Sequence, residues 1–226
     1  MILLDKVGIV RPGTGRSEMI LRDQTVIFRA GERVGIYAPS GTGRTTVARV
    51  LGGIQHPDRG HVHIEGRVGW PVGSAGILHP LLTLAENVSH VAGLTGVPEG
   101  EIGAVVAWLC EGEAMLRRTV QYLSPGERAL AAYAISLAVP VDHVIADDKI
   151  LISDERVIAR CEQLLRARLR NAGLVFISRN PAQLNRWCSR HFALIGERLM
   201  PCDDAIVGQQ MRELAELATE RERAYG

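Results

Sequence analysis

Lysine is almost missing from this sequence. Lys6 and Lys149 are the only two among 26 basic side chains, and all the others are arginines. The bias matters because a guanidinium is a planar fork of donors, whereas an ammonium is a compact point charge. A strong net charge is missing too. The 26 basic residues face 25 acidic ones, for a formal charge of +1, so composition offers no electrostatic footprint for nucleic acid. The four cysteines, Cys110, Cys161, Cys188 and Cys202, are widely spaced and form no C-x-x-C pair. They read as reduced, buried thiols of a cytosolic protein. There is no N-terminal apolar segment of the signal type, and no apolar run approaches the roughly 20 residues that a membrane-spanning helix needs. If the protein serves a membrane process, a partner must supply the spanning helices.

What is present fits one large domain, or a core with one inserted subdomain: 226 residues with an apolar fraction of 46%, enough for a well-buried interior. The stretch that organises the rest is Ala38-Pro39-Ser40-Gly41-Thr42-Gly43-Arg44-Thr45-Thr46. It lies between an apolar run, residues 34–37, and a helix-like run, residues 47–51. Strand, glycine-rich turn and helix is the setting in which backbone N–H groups converge on a phosphate and the helix N-terminus adds partial positive charge. Against G-x-x-x-x-G-K-[ST], Ala38 replaces the first glycine and Arg44 the lysine, while Thr45 stands where a hydroxyl would reach Mg²⁺. Taken alone, an ordinary Gly/Ser/Thr turn explains the stretch as well.

Along the chain, residues 1–37 read as strands and turns, ending in the Ala30-Gly31-Glu32 turn before the strand that feeds the glycine loop. The helix from Thr45 stops at Gly52-Gly53. His61 and His63 share one face of a short strand and, with no third ligand nearby, face solvent rather than a metal. Thr83 and Glu86 are spaced as a capping box. Residues 84–122 are mainly helical, broken near Gly96-Val97-Pro98. Leu123-Ser124-Pro125-Gly126-Glu127 leads into an alanine-rich helix over 126–138 that Pro140 stops. Residues 142–148 form a buried strand ending in Asp147-Asp148. A helix over 155–171, a strand over 174–178, a short helix over 181–189 and a hairpin near Gly196 follow. Residues 209–225 read as a charged helical tail, solvated or facing a partner. Alternating strands and helices imply a mostly parallel sheet covered on both faces.

Four pieces stand in order: the glycine loop, Trp70–Gly76, L-S-P-G-E at 123–127, and the strand ending in Asp147-Asp148. This order and spacing resemble the nucleotide-binding subunit of an ABC transporter over essentially the whole chain. In particular they resemble ATP-binding subunits of capsular polysaccharide exporters, in R-x-x-T-G-R at 11–16, G-G-I after the first helix, W-P-V-G, and L-T-x-x-E-N. The resemblance implies an α/β fold: a P-loop NTPase (RecA-like) core with a mainly parallel sheet, an N-terminal antiparallel β portion, an inserted helical subdomain at 84–122 and a helical tail at 204–226. It implies ATP and Mg²⁺ as cofactors. Ser40, Gly41, Thr42, Gly43, Arg44, Thr45 and Thr46 would bind nucleotide, with Thr45 and Asp147 on the metal. Asp148 would polarise the attacking water, and Arg179 would meet the γ-phosphate. Ser124, Gly126 and Glu127 would act across a dimer, and Asp154 would link the two sites. The partners implied are a membrane-spanning permease subunit, received in a groove formed by Trp70–Gly76 and the helix after it, and a second nucleotide-binding subunit, identical or different. The place is the cytoplasmic face of the inner membrane.

Several positions depart from the family pattern. Val10 stands near where an aromatic residue would stack on adenine, the 70–76 loop has no glutamine, and Pro125 replaces a glycine. Arg44, Asp148 and Arg179 replace the usual lysine, glutamate and histidine. Asp148 is one methylene shorter than glutamate, and a shift of about 1 Å in reacting geometry costs on the order of 100-fold in rate. Nucleotide binding is therefore expected to survive better than turnover, since arginine grips phosphate bidentately. Alternatively, one or both arginines pair with Asp147 or Asp148, because buried carboxylates need a cation. Two functions follow: a slow ATPase powering polysaccharide export, or a non-hydrolysing pseudo-ATPase that acts as the degenerate half of a hetero-pair or as a structural or regulatory subunit.

Overall fold

A computed structural model of the chain describes residues 1–11, 17–72, 75–152, 154–213 and 216. Its strands form two sheets. The first is antiparallel, with β1 (Ile2–Arg11) between β2 (Glu18–Phe28) and β4 (Arg59–Ile64). The second runs in the order β5 (His143–Asp147), β6 (Gly173–Ser178), β3 (Arg33–Tyr37), β7 (Arg190–Ile195), β8 (Arg198–Cys202). Every neighbouring pair in it is parallel except the β7–β8 hairpin. That hairpin closes through Gly196 and Glu197, both at positive φ (50° and 66°). Such a two-residue turn suits the right-handed twist of the strands it joins.

Successive side chains on a strand point to opposite faces, so a strand covered on both sides must be apolar at every position. In β6 all six residues are buried. Leu174 and Phe176 join the core under the helices, while Val175 and Ile177 join the core against the antiparallel sheet. The second core also takes Val47, Val50 and Leu51 of α1 (Arg44–Leu51) and an edge-on pair of rings, Phe28 and Phe192, at 5.8 Å. The first is built from α2 (Leu84–Thr95), α3 (Glu99–Leu109), α4 (Pro125–Ala138), α5 (Ile158–Arg168) and α6 (Pro181–Trp187).

Helix ends follow their local chemistry. Thr83 and Glu86 form the expected capping box of α2, Gly96 ends that helix in the left-handed conformation, and α3 begins after Pro98. The chain then makes two 3-10 turns, Glu113–Arg117 and Val120–Tyr122. Ser124 and Glu127 form a second capping box, with Pro125 in the first turn of α4. The C-terminal carbonyls of α4 are taken by an arginine from another helix. Arg168 donates from Nε and Nη2 to Leu137 O (2.9 and 2.6 Å) and from Nη2 to Ala138 O (2.9 Å). Burial lowers the Arg168 pKa, yet the guanidinium stays charged.

Two expectations need correction. The helix read over 155–171 spans only Ile158–Arg168, because residues 155–157 form a turn in which Asp154 accepts from Arg156 N. The tail is not simply solvated: its helix begins at residue 205, Gly208 packs on Tyr37 and Ala193, and Arg212 donates to Leu194 O. Residues 12–16 of R-x-x-T-G-R, residues 73–74 of the Trp-Pro loop and most of the tail beyond 213 lie outside the described residues. His61 and His63 are exposed on β4, as read. Cys110, Cys161 and Cys188 are buried and Cys202 half-buried, all four as free thiols, and burial pushes Cys110 and Cys188 up to about 12. No helix among the described residues is long and apolar enough to cross a membrane.

Replacing Arg168 by alanine leaves the Leu137 and Ala138 carbonyls unpartnered. Hydrogen bonds to a charged group are worth about 1.5–3 kcal/mol net. Arg168→Ala is therefore expected to lower the unfolding free energy by about that much, seen as a lower urea midpoint with an unchanged m-value. An unshifted midpoint would show that water satisfies this helix end equally well.

Candidate functional site

The site lies where three parallel strands end together. Tyr37 of β3 pairs with Ser178 of β6, and Asp147 of β5 pairs with Ile177. The next residues of these strands, Ala38, Asp148 and Arg179, therefore leave the sheet side by side. Two backbone bonds fix the exits: Ala38 N donates to Ser178 O at 3.0 Å, and Asp148 N to Ile177 O at 2.7 Å. The open edge at the carboxyl ends of parallel strands is where α/β folds commonly bind ligands.

From Tyr37 the chain turns through Pro39, whose carbonyl accepts from both Thr42 N (3.4 Å) and Thr42 Oγ1 (2.7 Å). Gly41 and Gly43 are left-handed, with φ of 84° and 86°. At Gly43 a Cβ would also lie 2.8 Å from Cγ2 of Ile20, so both conformation and space demand glycine there. Gly43 is the N-cap of α1, which has no side-chain cap and no acidic residue in its first turn. By contrast α2, α4 and α6 take their N-terminal donors with Thr83, Ser124 and Asn180. The first-turn N–H groups of α1 thus remain available to an anion, and the helix dipole favours one there.

The side chains around the loop are engaged with one another. Arg44 Nη1 donates to Asp148 Oδ1 at 2.7 Å, in a pair only 16% and 32% exposed. Thr45 Oγ1 donates to Asp147 Oδ2 at 2.6 Å. Arg179 Nη1 donates to Ser40 Oγ at 3.3 Å. Of the two arginines weighed as carboxylate partners, Arg44 takes that role and Arg179 does not. Thr46 is half-buried beside them. Asp148 has φ +60°, an uncommon conformation for a residue with a Cβ, though asparagine and aspartate tolerate it best.

Whether Mg²⁺ suits the site is decided by donor chemistry. Among the described residues no group of three or more His, Cys, Asp or Glu side chains could hold a metal. Mg²⁺ commonly takes only one or two protein oxygens and fills its shell with phosphate and water. Thr45 Oγ1 and Asp147 Oδ2 are hard oxygens only 2.6 Å apart, so one small ion could draw on both. The residues fit the ion.

Beyond Thr45 a cleft of about 1250 Å³ opens, lined by Asp147, Asp148, Trp70, Val72, Gly126 and Asp154. The four motifs separated along the sequence thus border one space. Val10 is half-buried on β1, its N–H donating to Asp58 Oδ2 at 2.7 Å. Ser124 is exposed, and its hydroxyl accepts from Glu127 N at 3.2 Å. Glu127 closes the cap of its own helix and pairs with Arg118, a residue that nothing near L-S-P-G-E in the sequence would single out. Arg118, then the Ser124 amide, hold the Glu127 carboxyl down at about 2. Asp154 is likewise held at about 2 by Arg156, two residues on.

Because the folded-state Glu127 carboxyl titrates below its ordinary 4.5, its contribution to stability is complete above that pH and is lost as the pH falls toward about 2. In Arg118→Ala the carboxyl is expected to rise from about 2 yet stay below 4.5, since the Ser124 amide still donates to it. Carboxyl-carbon NMR titration reads the change directly. An unmoved titration would show that Arg118 does not set it.

Comparison with known proteins agrees with this geometry. The sequence profile of the ABC transporter family matches residues 21–151. The chain is 27% identical over 181 residues to the polysialic acid transport ATP-binding protein KpsT of Escherichia coli, covering 79% of this chain and 82% of that protein. It is 25% identical over 175 residues to the capsule polysaccharide export ATP-binding protein CtrD of Neisseria meningitidis serogroup B, covering 77% and 81%. Neither relative supports the alternative of a non-hydrolysing half. Among solved structures, an ATP-binding cassette captured as a dimer after hydrolysis, with ADP and phosphate, superposes with a TM-score of 0.73 at 21% identity, over 88% of this chain and 96% of that one. That likeness establishes the fold. The family match runs from β2 past Asp148 and so takes in the glycine loop, the Trp-Pro loop, L-S-P-G-E and the paired carboxylates, and the chain belongs to the ABC transporter family.

Proposed function

We propose that this protein is the ATP-binding subunit of an exporter of capsular or other surface polysaccharide. It works at the cytoplasmic face of the inner membrane, docked on a membrane-spanning permease subunit and paired with a second nucleotide-binding subunit. The observation that carries the nucleotide reading is the uncapped start of α1 behind two left-handed glycines, with Arg44, Thr45 and Asp147 gathered around it. The polysaccharide follows from likeness to the relatives described for polysialic acid and capsule export.

In this reading the amides of Gly41 to Thr46 cradle the phosphates, with Ser40 and Thr42 shaping the turn. Arg44, at the start of α1, and Arg179, bonded to Ser40, supply the cationic side chains. Thr45 and Asp147 would hold Mg²⁺, which would supply neutralisation of phosphate charge when bound. Asp148 accepts a hydrogen bond from the attacking water and orients it. Catalysis of this kind is mostly positioning and charge stabilisation, so a shorter carboxylate engaged by Arg44 slows turnover without preventing binding. Ser124 and Gly126, at the exposed N-terminus of α4, face a second subunit's nucleotide. Asp154 lies between the two sites. Residues 84–122 are the inserted helical subdomain, and the rim at Trp70 receives a cytoplasmic helix of the permease.

Equilibrium dialysis is expected to retain ATP and ADP at millimolar concentration or below, with slow phosphate release in Mg-ATP. The triple variant Arg44→Lys, Asp148→Glu, Arg179→His is expected to release phosphate at least about tenfold faster. Failure to retain either nucleotide would sink the proposal. Faster release by the parent would refute the roles given to the three replaced positions.

A further inference from the structure

We propose that Asp148 is a built-in occupant of the phosphate-binding guanidinium. Its carboxylate holds Arg44, a nucleotide must take Arg44 from it, and phosphate binding and release of Asp148 into the cleft are one event. The proposal rests on reading residues 38–46 as a nucleotide-binding loop.

Arg44 is the first residue of α1, so its side chain starts at the end of the helix where an anion would sit. It is only 16% exposed, and among the described residues its one side-chain partner is Asp148. A guanidinium so far withdrawn from water needs an anion beside it. A carboxylate and a phosphate are the two anions this site can offer. Placing both on one guanidinium would bring like charges together, which each disfavours. The arrangement is therefore an exchange of partners.

The surroundings allow that exchange. Asp147 is engaged by Thr45, so the second carboxylate does not compete for Arg44. Arg179 is held at Ser40 of the same loop, from where it can meet a phosphate while Arg44 changes partner. Asp148 is fixed by two bonds, its amide to Ile177 O and its carboxylate to Arg44, in a left-handed backbone that few residues accept. Loss of the second bond leaves the side chain held only by its backbone, at the wall of the cleft it already lines. Arginine in place of lysine and aspartate in place of glutamate then form one matched pair.

The test is a double-mutant cycle on ATP binding, by equilibrium dialysis of the full chain with EDTA present, so that neither metal nor hydrolysis contributes. Asp148→Asn keeps the shape and tolerates the left-handed backbone. It is expected to tighten ATP binding by about fivefold or more, the lower end of typical coupling between sites. In an Arg44→Gln background the same change is expected to alter binding by less than about twofold. Asp148→Gly, which also suits positive φ, serves as a second variant and is expected to behave alike. Equal or weaker binding by Asp148→Asn and Asp148→Gly would overturn the proposal. So would an equal gain in the Arg44→Gln background, which would mean general charge relief rather than release of Arg44. If neither the parent nor any variant retained ATP, the nucleotide reading would fall and this inference with it.

Discussion

A parallel sheet can be stable only when both of its faces are covered, and most of this architecture follows from that need. β3 lies at the centre, with Val34 and Ile36 in one core and Tyr37 in the other. Helices α2 to α6 cover one face, while α1 and the antiparallel sheet cover the other. The crossovers this requires bring every parallel strand to the same edge. Ala38, Asp148 and Arg179, far apart in sequence, become neighbours there because the strands before them are in register. The site is a consequence of the sheet's pairing order.

The scarcity of lysine has a structural counterpart in what the arginines do. Arg168 takes carbonyls at the end of α4, Arg33 takes Leu169 O just past α5, and Arg160 takes Trp108 O near the end of α3. Arg118 and Arg156 fix carboxylates beside the cleft. A planar fork with several donors can reach two acceptors at once, which a single ammonium does less well. Arg44 belongs to this pattern: a lysine there would put one compact charge where the arginine directs a donor at Asp148. The same fork that suits a carboxylate also suits a phosphate, so the site has two anions with a claim on one cation.

Much of the fold could be read from local signals. The capping box at Thr83 and Glu86, the glycine stop after α2, the apolar run of β5 and the Gly196 hairpin depend on residues a few positions apart, and each stands as expected. The boundaries of α5 were less legible, because Asp154 and Arg156 compete with the helix for backbone donors at its start and Arg33 meets the carbonyl just beyond its end. The start of the tail was less legible, because its charges suggested solvent or a partner, whereas Gly208, just before it, packs closely on the sheet.

The sequence alone determined the order of the motifs, the glycine turn before a helix and the identity of the replaced residues, since these are properties of spacing and side-chain type. It left open whether Arg44 or Arg179 would meet a carboxylate, and it gave no sign that Glu127 would be held by Arg118. Those pairings join residues brought together by strand register and helix packing. Which cation faces which anion was decided only when the chain had folded, because Coulomb and hydrogen-bond energies depend on distances that no linear spacing contains.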